Sequence, residues 1–134
     1  MQVNPFMAHQ APPFLGELEI QVLEYLWQHE PASVKNVYEQ IGVGRGVSLN
    51  TIQSTLDRLY RKSLLSRSKQ SREFIYIPSV SRETLMASLI QDVFGRFKSD
   101  RQSSVAAILH AAETLDEASL NALELEIQRL KAKG

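Results

Sequence analysis

The side chains of this chain best suited to recognising another molecule lie between Asn50 and Arg61. At roughly 100° per residue, Asn50, Gln53, Ser54, Asp57 and Arg61 fall on one side of a helix, and Leu49, Ile52, Leu56 and Leu59 on nearly the opposite side. The second set needs a core. The first offers amide, hydroxyl and guanidinium groups, which read base edges in the DNA major groove. Asn50 and Gln53 match adenine bidentately, and Thr51 offers a methyl for thymine together with a hydroxyl. Arg58 and Arg61 lie farther along the helix, in reach of phosphates or of guanine at the groove edge. Asp57 would repel phosphate unless it pairs with Arg61 at i,i+4 or accepts from a cytosine amine.

The charge distribution points the same way. Net charge is zero, but Arg45, Arg58, Arg61, Lys62, Arg67, Lys69 and Arg72 oppose only Asp57, a local excess of +6. Five acids against Lys35 mark the segment from Phe14 to Ile41. A basic patch on a neutral chain is the footprint of a phosphate binder; its bland counterpart is a solvated helix face. Ser33 and Lys35 at the start of the second helix, with Lys69 and Arg72 beyond the third, are expected to touch phosphates, contacts that set register and not sequence.

Other chemistries find little footing. There is no cysteine, which excludes disulfides and thiolate metal sites. His9, His29 and His110 are scattered, and Gly42, Gly44 and Gly46 lack a preceding strand and phosphate-loop spacing. No nucleophile-and-base pattern appears, so no enzyme, cofactor or metal is expected. The opening MQVNPFMAHQAPPF has neither a basic region nor a long apolar run, and no segment approaches the ~20 apolar residues of a membrane span. The expectation is a soluble cytoplasmic protein with no membrane partner.

The elements that must position this face can be read on either side of it. Residues 1–13, with three of the five prolines, read as a flexible arm. A first helix is expected over Glu17–His29, with Gly16 and Glu19 as half a capping box and Trp27 in the core. Pro31 ends it and Ser33 caps a second helix over Val34–Ile41. Gly42 to Gly46 must turn, and Ser48 caps the third helix. After Ser63 the period changes, and Leu64–Ser68 and Glu73–Ile77 read as strands joined by Lys69–Arg72. Helix, turn, helix and basic hairpin make a winged helix-turn-helix over 14–80, mainly α with a small β wing.

Beyond it, 81–134 reads as a helical dimerisation region. Ser81 caps a helix over Arg82–Phe97 whose stripe (Leu89, Val93, Phe94 and Phe97 among it) is too wide for a small domain to cover. After a polar break over Lys98–Ser104, a short helix carries Val105, Ile108, Leu109 and Ala112. Asp116 caps a last helix with Leu120, Leu123, Ile127 and Leu130 at 3-4-3 spacing, a short coiled-coil-like seam. These stripes are expected to join two subunits, the alternative being that they fold back on their own domain.

LGELEIQVLEYLW, VSLNTIQSTLDRLYRKSLLSR and REFIYIPSVSRE, in that order and spacing, resemble the penicillinase-repressor (BlaI/MecI) family of winged-helix repressors over roughly Leu15 to Leu130. The resemblance implies a homodimer that binds an inverted-repeat operator in double-stranded DNA and represses by occluding a promoter. It implies Asn50, Thr51, Gln53 and Ser54 as base-reading residues, with Arg58 and Arg72 on phosphates. Some relatives carry lysine and arginine where this chain has Asn50 and Gln53, so their operator sequence does not transfer. Some are inactivated by a protease or sensor that cuts between Asn and Phe in the linker before the last helix; here that region reads AAILHAAE around Ile108–Leu109, with no such pair. Copper-responsive relatives use C-terminal cysteines, which this chain lacks. The rival from another class is a winged protein–protein module whose basic face docks an acidic partner.

Overall fold

A computed structural model describes residues 15–98 and 100–134; the arm expected over 1–13 lies outside them. The chain divides into two compact units between Val93 and Phe94. That division falls inside the helix after the wing, later than the 80/81 boundary read from the sequence. The reason is packing: Leu85 and Ser88 are buried, and Leu89 leans on the same core.

Helix α1 spans Glu17–Gln28 and buries Val22, Leu23 and Leu26 completely. The Glu19 carboxylate accepts the Gly16 N–H at 3.1 Å, the half capping box expected. Trp27 is only partly buried, packed on the edge of the core, and its indole N–H donates to the Val80 carbonyl at 2.9 Å. A two-residue strand β1, Ala32–Ser33, follows. Ser33 then caps α2, Val34–Val37: its hydroxyl accepts the Asn36 N–H, and the Asn36 side chain accepts the Ser33 N–H in return.

The turn expected over Gly42–Gly46 is a correction. The helix runs on from α2 through a π-helical turn, Tyr38–Gly42, into α3, Val43–Arg45, and only Gly46, at φ 71°, ends it. Gly42 serves packing instead. A Cβ there would lie 2.7 Å from Tyr38 Cδ1 and 3.0 Å from Ile52 Cγ1, so its hydrogen lets this helix close on the next one.

Helix α4, Leu49–Arg61, starts where Ser48 Oγ accepts the Thr51 N–H. It ends in a Schellman turn: Leu64 N–H bonds the Leu59 carbonyl and Ser63 N–H that of Tyr60, with Ser63 at φ 66°. Its buried face is Ile52, Thr55, Leu56 and Leu59. Leu49, expected inside, is 46% exposed because it precedes the first full turn, and Thr55 is buried instead. The Thr55 hydroxyl is satisfied by donating to the Thr51 carbonyl at 2.8 Å.

Strands β2 (Leu65–Gln70) and β3 (Glu73–Pro78) pair antiparallel from Leu65↔Pro78 to Gln70↔Glu73. The turn between them is therefore two residues, Ser71 and Arg72, at φ 47° and 71°, not the four expected. Two successive positive φ values are those of a type I′ hairpin, whose twist matches the strands. β1 joins the far edge of β3 through Ala32↔Tyr76, giving the order β1-β3-β2. Tyr76, Leu64 and Leu65 close the core from the sheet side. Helix α5, Arg82–Arg96, begins with Ser81 Oγ accepting the Thr84 N–H.

The second unit holds α6, Arg101–Ala112, and α7, Glu117–Lys133. Asp100 caps α6 by accepting the Ser103 N–H at 2.8 Å, so the polar break is shorter than read from the sequence. Asp116 caps α7 through the Ser119 N–H at 2.7 Å. Among the described residues no helix is long and apolar enough to cross a membrane.

Candidate nucleic-acid interface

Helix α4 presents Asn50, Thr51, Gln53 and Ser54 to solvent, all exposed. Capping by Ser48 fixes the first turn, and the Ser48 and Thr51 hydroxyls share a 3.0 Å hydrogen bond, which leaves the Thr51 methyl as its free feature. Asn50, Gln53 and Ser54 line one wall of a groove of about 510 Å³ between helix and wing, closed on the far side by Arg67, Phe74 and Tyr76. Gln53 also borders a second depression of about 350 Å³, where the structure gathers Lys35 from α2 with Lys69 and Arg72 from the wing. Residues far apart in sequence thus line one depression with Gln53, and Val34, Leu49 and Phe74 supply its apolar part. Glu73 lies in the same depression and lowers its positive charge.

The awkward carboxylate of Asp57 is answered internally. It accepts Arg61 Nε at 2.9 Å, the i,i+4 pairing expected, and Arg67 Nη1 at 3.1 Å. Arg67 lies between two rings, 3.9 Å from the centroid of Tyr60 and 4.1 Å from that of Phe74. Hydrogen bonds with Tyr76 and Asp57 hold its guanidinium above the ordinary arginine range. Stacking of this kind favours arginine over lysine. The cluster ties β2 to α4 and so sets the groove's width. The sequence offered no periodic sign of it, because residues ten apart on a helix and a strand share no pattern.

The seven cations counted along the sequence do not form one ribbon. Arg45 turns to Gln21 on α1, with Nη1 donating at 2.8 Å. Lys62 pairs with the largely buried Glu19 at 2.8 Å. Arg67 is held as described. Arg58, Lys69 and Arg72 remain on the surface, and Arg61 keeps its side chain 77% exposed while touching Asp57. Arg58 reaches back to Thr55 Oγ1 at 3.3 Å. Ser33 does not join them: it is 4% exposed, with its hydroxyl engaged by Asn36 at both ends.

Of the residues expected at a subunit interface, Leu89 packs against the winged core and Phe94 is half-buried, while Val93 is 50% and Phe97 80% exposed. Leu120, Leu123, Ile127 and Leu130 lie on α7 with exposures of 39–70%. The Ile108–Leu109 bond lies inside α6. The Glu24 carboxyl is held below its usual range by hydrogen bonds from Arg82, an ion pair that joins α1 to α5 within the winged unit.

Comparison with known proteins accounts for this arrangement. The sequence pattern of the penicillinase repressor family matches residues 15–129. The transcriptional regulator BlaI of Mycobacterium tuberculosis is 31% identical over 119 residues, covering 88% of this chain and 86% of that one. The penicillinase repressor of Bacillus licheniformis is 23% identical over 111 residues, 83% of this chain and 87% of that one. The solution structure of the DNA-binding domain of the repressor BlaI superposes with a TM-score of 0.50 at 27% identity, over 56% of this chain and 90% of that domain. A winged unit with a polar groove-facing helix, matched along nearly its whole length by these repressors, belongs to the penicillinase repressor family.

Proposed function

We propose that the chain acts as a homodimer on an inverted-repeat operator, one winged unit per half-site, and represses by occluding a promoter. Membership of the family makes it a DNA-binding transcriptional repressor; the dimer is supported by the apolar faces its second unit leaves in water. Asn50, Thr51, Gln53 and Ser54 read bases. Lys35, Arg58, Arg61, Lys69 and Arg72 bind phosphates. Ser33 leaves the contact set because its hydroxyl is buried in a cap. The subunits join through Val93, Phe94, Phe97, Leu120, Leu123, Ile127 and Leu130. Such a protein works in the cytoplasm beside the chromosome. Induction by cleavage at Ile108–Leu109 would require α6 to open first, since proteases cut exposed, locally unfolded chain.

The observation that carries this reading is the position of Gln53, on the ridge between the helix–wing groove and the depression lined by Lys35, Lys69 and Arg72. Selection of genomic fragments by the purified protein at physiological salt, with random DNA in excess, tests it. The expected product is an inverted repeat with half-sites about 10 base pairs, or a multiple, apart. Gln53→Ala should then bind that repeat about 5- to 150-fold more weakly and relax preference at one position per half-site. Enrichment of nothing above random DNA would favour an acidic protein partner for the same face.

A further inference from the structure

The contacts proposed above leave Leu49 without a part. It is the first residue of α4, in the turn that meets base edges in a helix-turn-helix. It is 46% exposed and borders the same depression as Lys35, Gln53, Lys69 and Arg72. The core does not need it: Ile52, Leu56 and Leu59 are fully buried without it. Its position is set by the Ser48 cap, which fixes the backbone of this turn. Val34 and Phe74 are its apolar neighbours in that depression, and its exposed part stands beside Lys35, Gln53, Lys69 and Arg72, in a site whose other proposed readers are polar.

We propose that Leu49 is a specificity-determining residue that reads the C5-methyl group of a thymine. This rests on the DNA-binding reading above. The major-groove edges of the bases are polar except for that methyl, which distinguishes thymine from cytosine and marks the orientation of an A·T pair. Bringing the methyl against Leu49 takes both from water, and burial of one such group corresponds to about a fourfold change in affinity. Polar readers sense the O4, N6 and N7 groups, and only an apolar contact senses the methyl itself. The nearest rival is the Thr51 methyl, also free of its own chain, so the test must separate the two.

The experiment uses the full-length protein and duplexes selected by it from a random library. Each thymine of the enriched sequence is replaced singly by deoxyuridine, which removes the methyl and keeps every hydrogen-bonding group. Wild type should lose about fourfold at one thymine per half-site. Leu49→Ala should bind the thymine duplex about fourfold more weakly and show no further loss with deoxyuridine at that position. Leu49→Met, which keeps an apolar reach, should retain the sensitivity and guards against a folding defect in the alanine variant. Thr51→Ser should retain it as well. Equal deoxyuridine sensitivity in wild type and Leu49→Ala, or its loss in Thr51→Ser alone, would overturn the proposal while leaving DNA recognition intact. Failure of wild type to enrich any sequence would overturn both.

Discussion

The winged unit and the C-terminal unit use apolar residues at similar helical spacing with opposite results. In the first, Ile52, Leu56 and Leu59 repeat along α4 and are wholly buried. In the second, Leu120, Leu123, Ile127 and Leu130 repeat along α7, yet the least exposed of them, Leu123, is still 39% accessible. Periodicity states that a face needs covering; it does not state what covers it. In α4 the cover is α1, the preceding helix and the sheet. In α7 the stripe stays exposed, and the local order of that unit rests on helix caps more than on a core.

Five variants and one titration break or sharpen that contrast. Leu56→Ala removes a fully buried side chain and should destabilise the winged unit by about 2–5 kcal/mol, read by denaturant melts. Leu123→Glu with Ile127→Glu should leave that unit's melt in place. It should instead halve the mass by light scattering and lower operator affinity by about 10²-fold, because each half-site then binds alone. A mass that stayed dimeric would move the interface to Val93 and Phe97. Gly42→Ala tests whether the winged unit is as tightly closed as its burial implies. Helix propensity favours alanine by about 1 kcal/mol. The contacts with Tyr38 and Ile52 should reverse the sign and cost about 1–3 kcal/mol.

Smaller effects are expected at the surface. Arg72 holds a positive φ that glycine adopts freely. Arg72→Gly should therefore stabilise the wing by about 1 kcal/mol while shrinking the salt slope of operator binding by about one. Stability and binding moving in opposite directions would show that the strained turn is kept for the guanidinium. In the second unit, Asp100 and Asp116 are held below the ordinary aspartate range by the N–H groups of Ser103 and Ser119. A depressed carboxyl stabilises the fold above its unfolded value, and that contribution disappears as pH falls through the folded one. Helicity by circular dichroism should hold from neutral pH to the ordinary aspartate range and decline only below it. Asp100→Ala with Asp116→Ala should lower it at neutral pH and remove that acid-side step.

The two units also differ in how well local rules described them. Caps at Ser33, Ser48, Ser81 and Asp116 are legible in the sequence, because a cap is a bond between residues three apart. The break before α6 was read too long, since Asp100 looked like part of a polar loop until its carboxylate was seen to bond Ser103. β1 was missed because two residues carry no alternation; only the edge of β3 makes Ala32–Ser33 a strand. Gly42 was misread as a turn because a glycine that permits a bend and a glycine that permits close approach look the same in one dimension.

Sequence alone determined the winged helix-turn-helix, the amide-rich face of α4 and the basic hairpin, because helical period, capping and strand alternation are local properties. It also determined that α7 carries a periodic apolar stripe. Tertiary structure decided which cations are engaged by distant side chains, since Glu19, Gln21 and Asp57 bond Lys62, Arg45 and Arg67 across distances no periodicity spans. It decided that Gln53 stands among Lys35, Lys69 and Arg72, and that Leu49 faces outward beside them. Long-range charge pairing and side-chain burial depend on which surfaces meet, and only the folded chain brings those surfaces together.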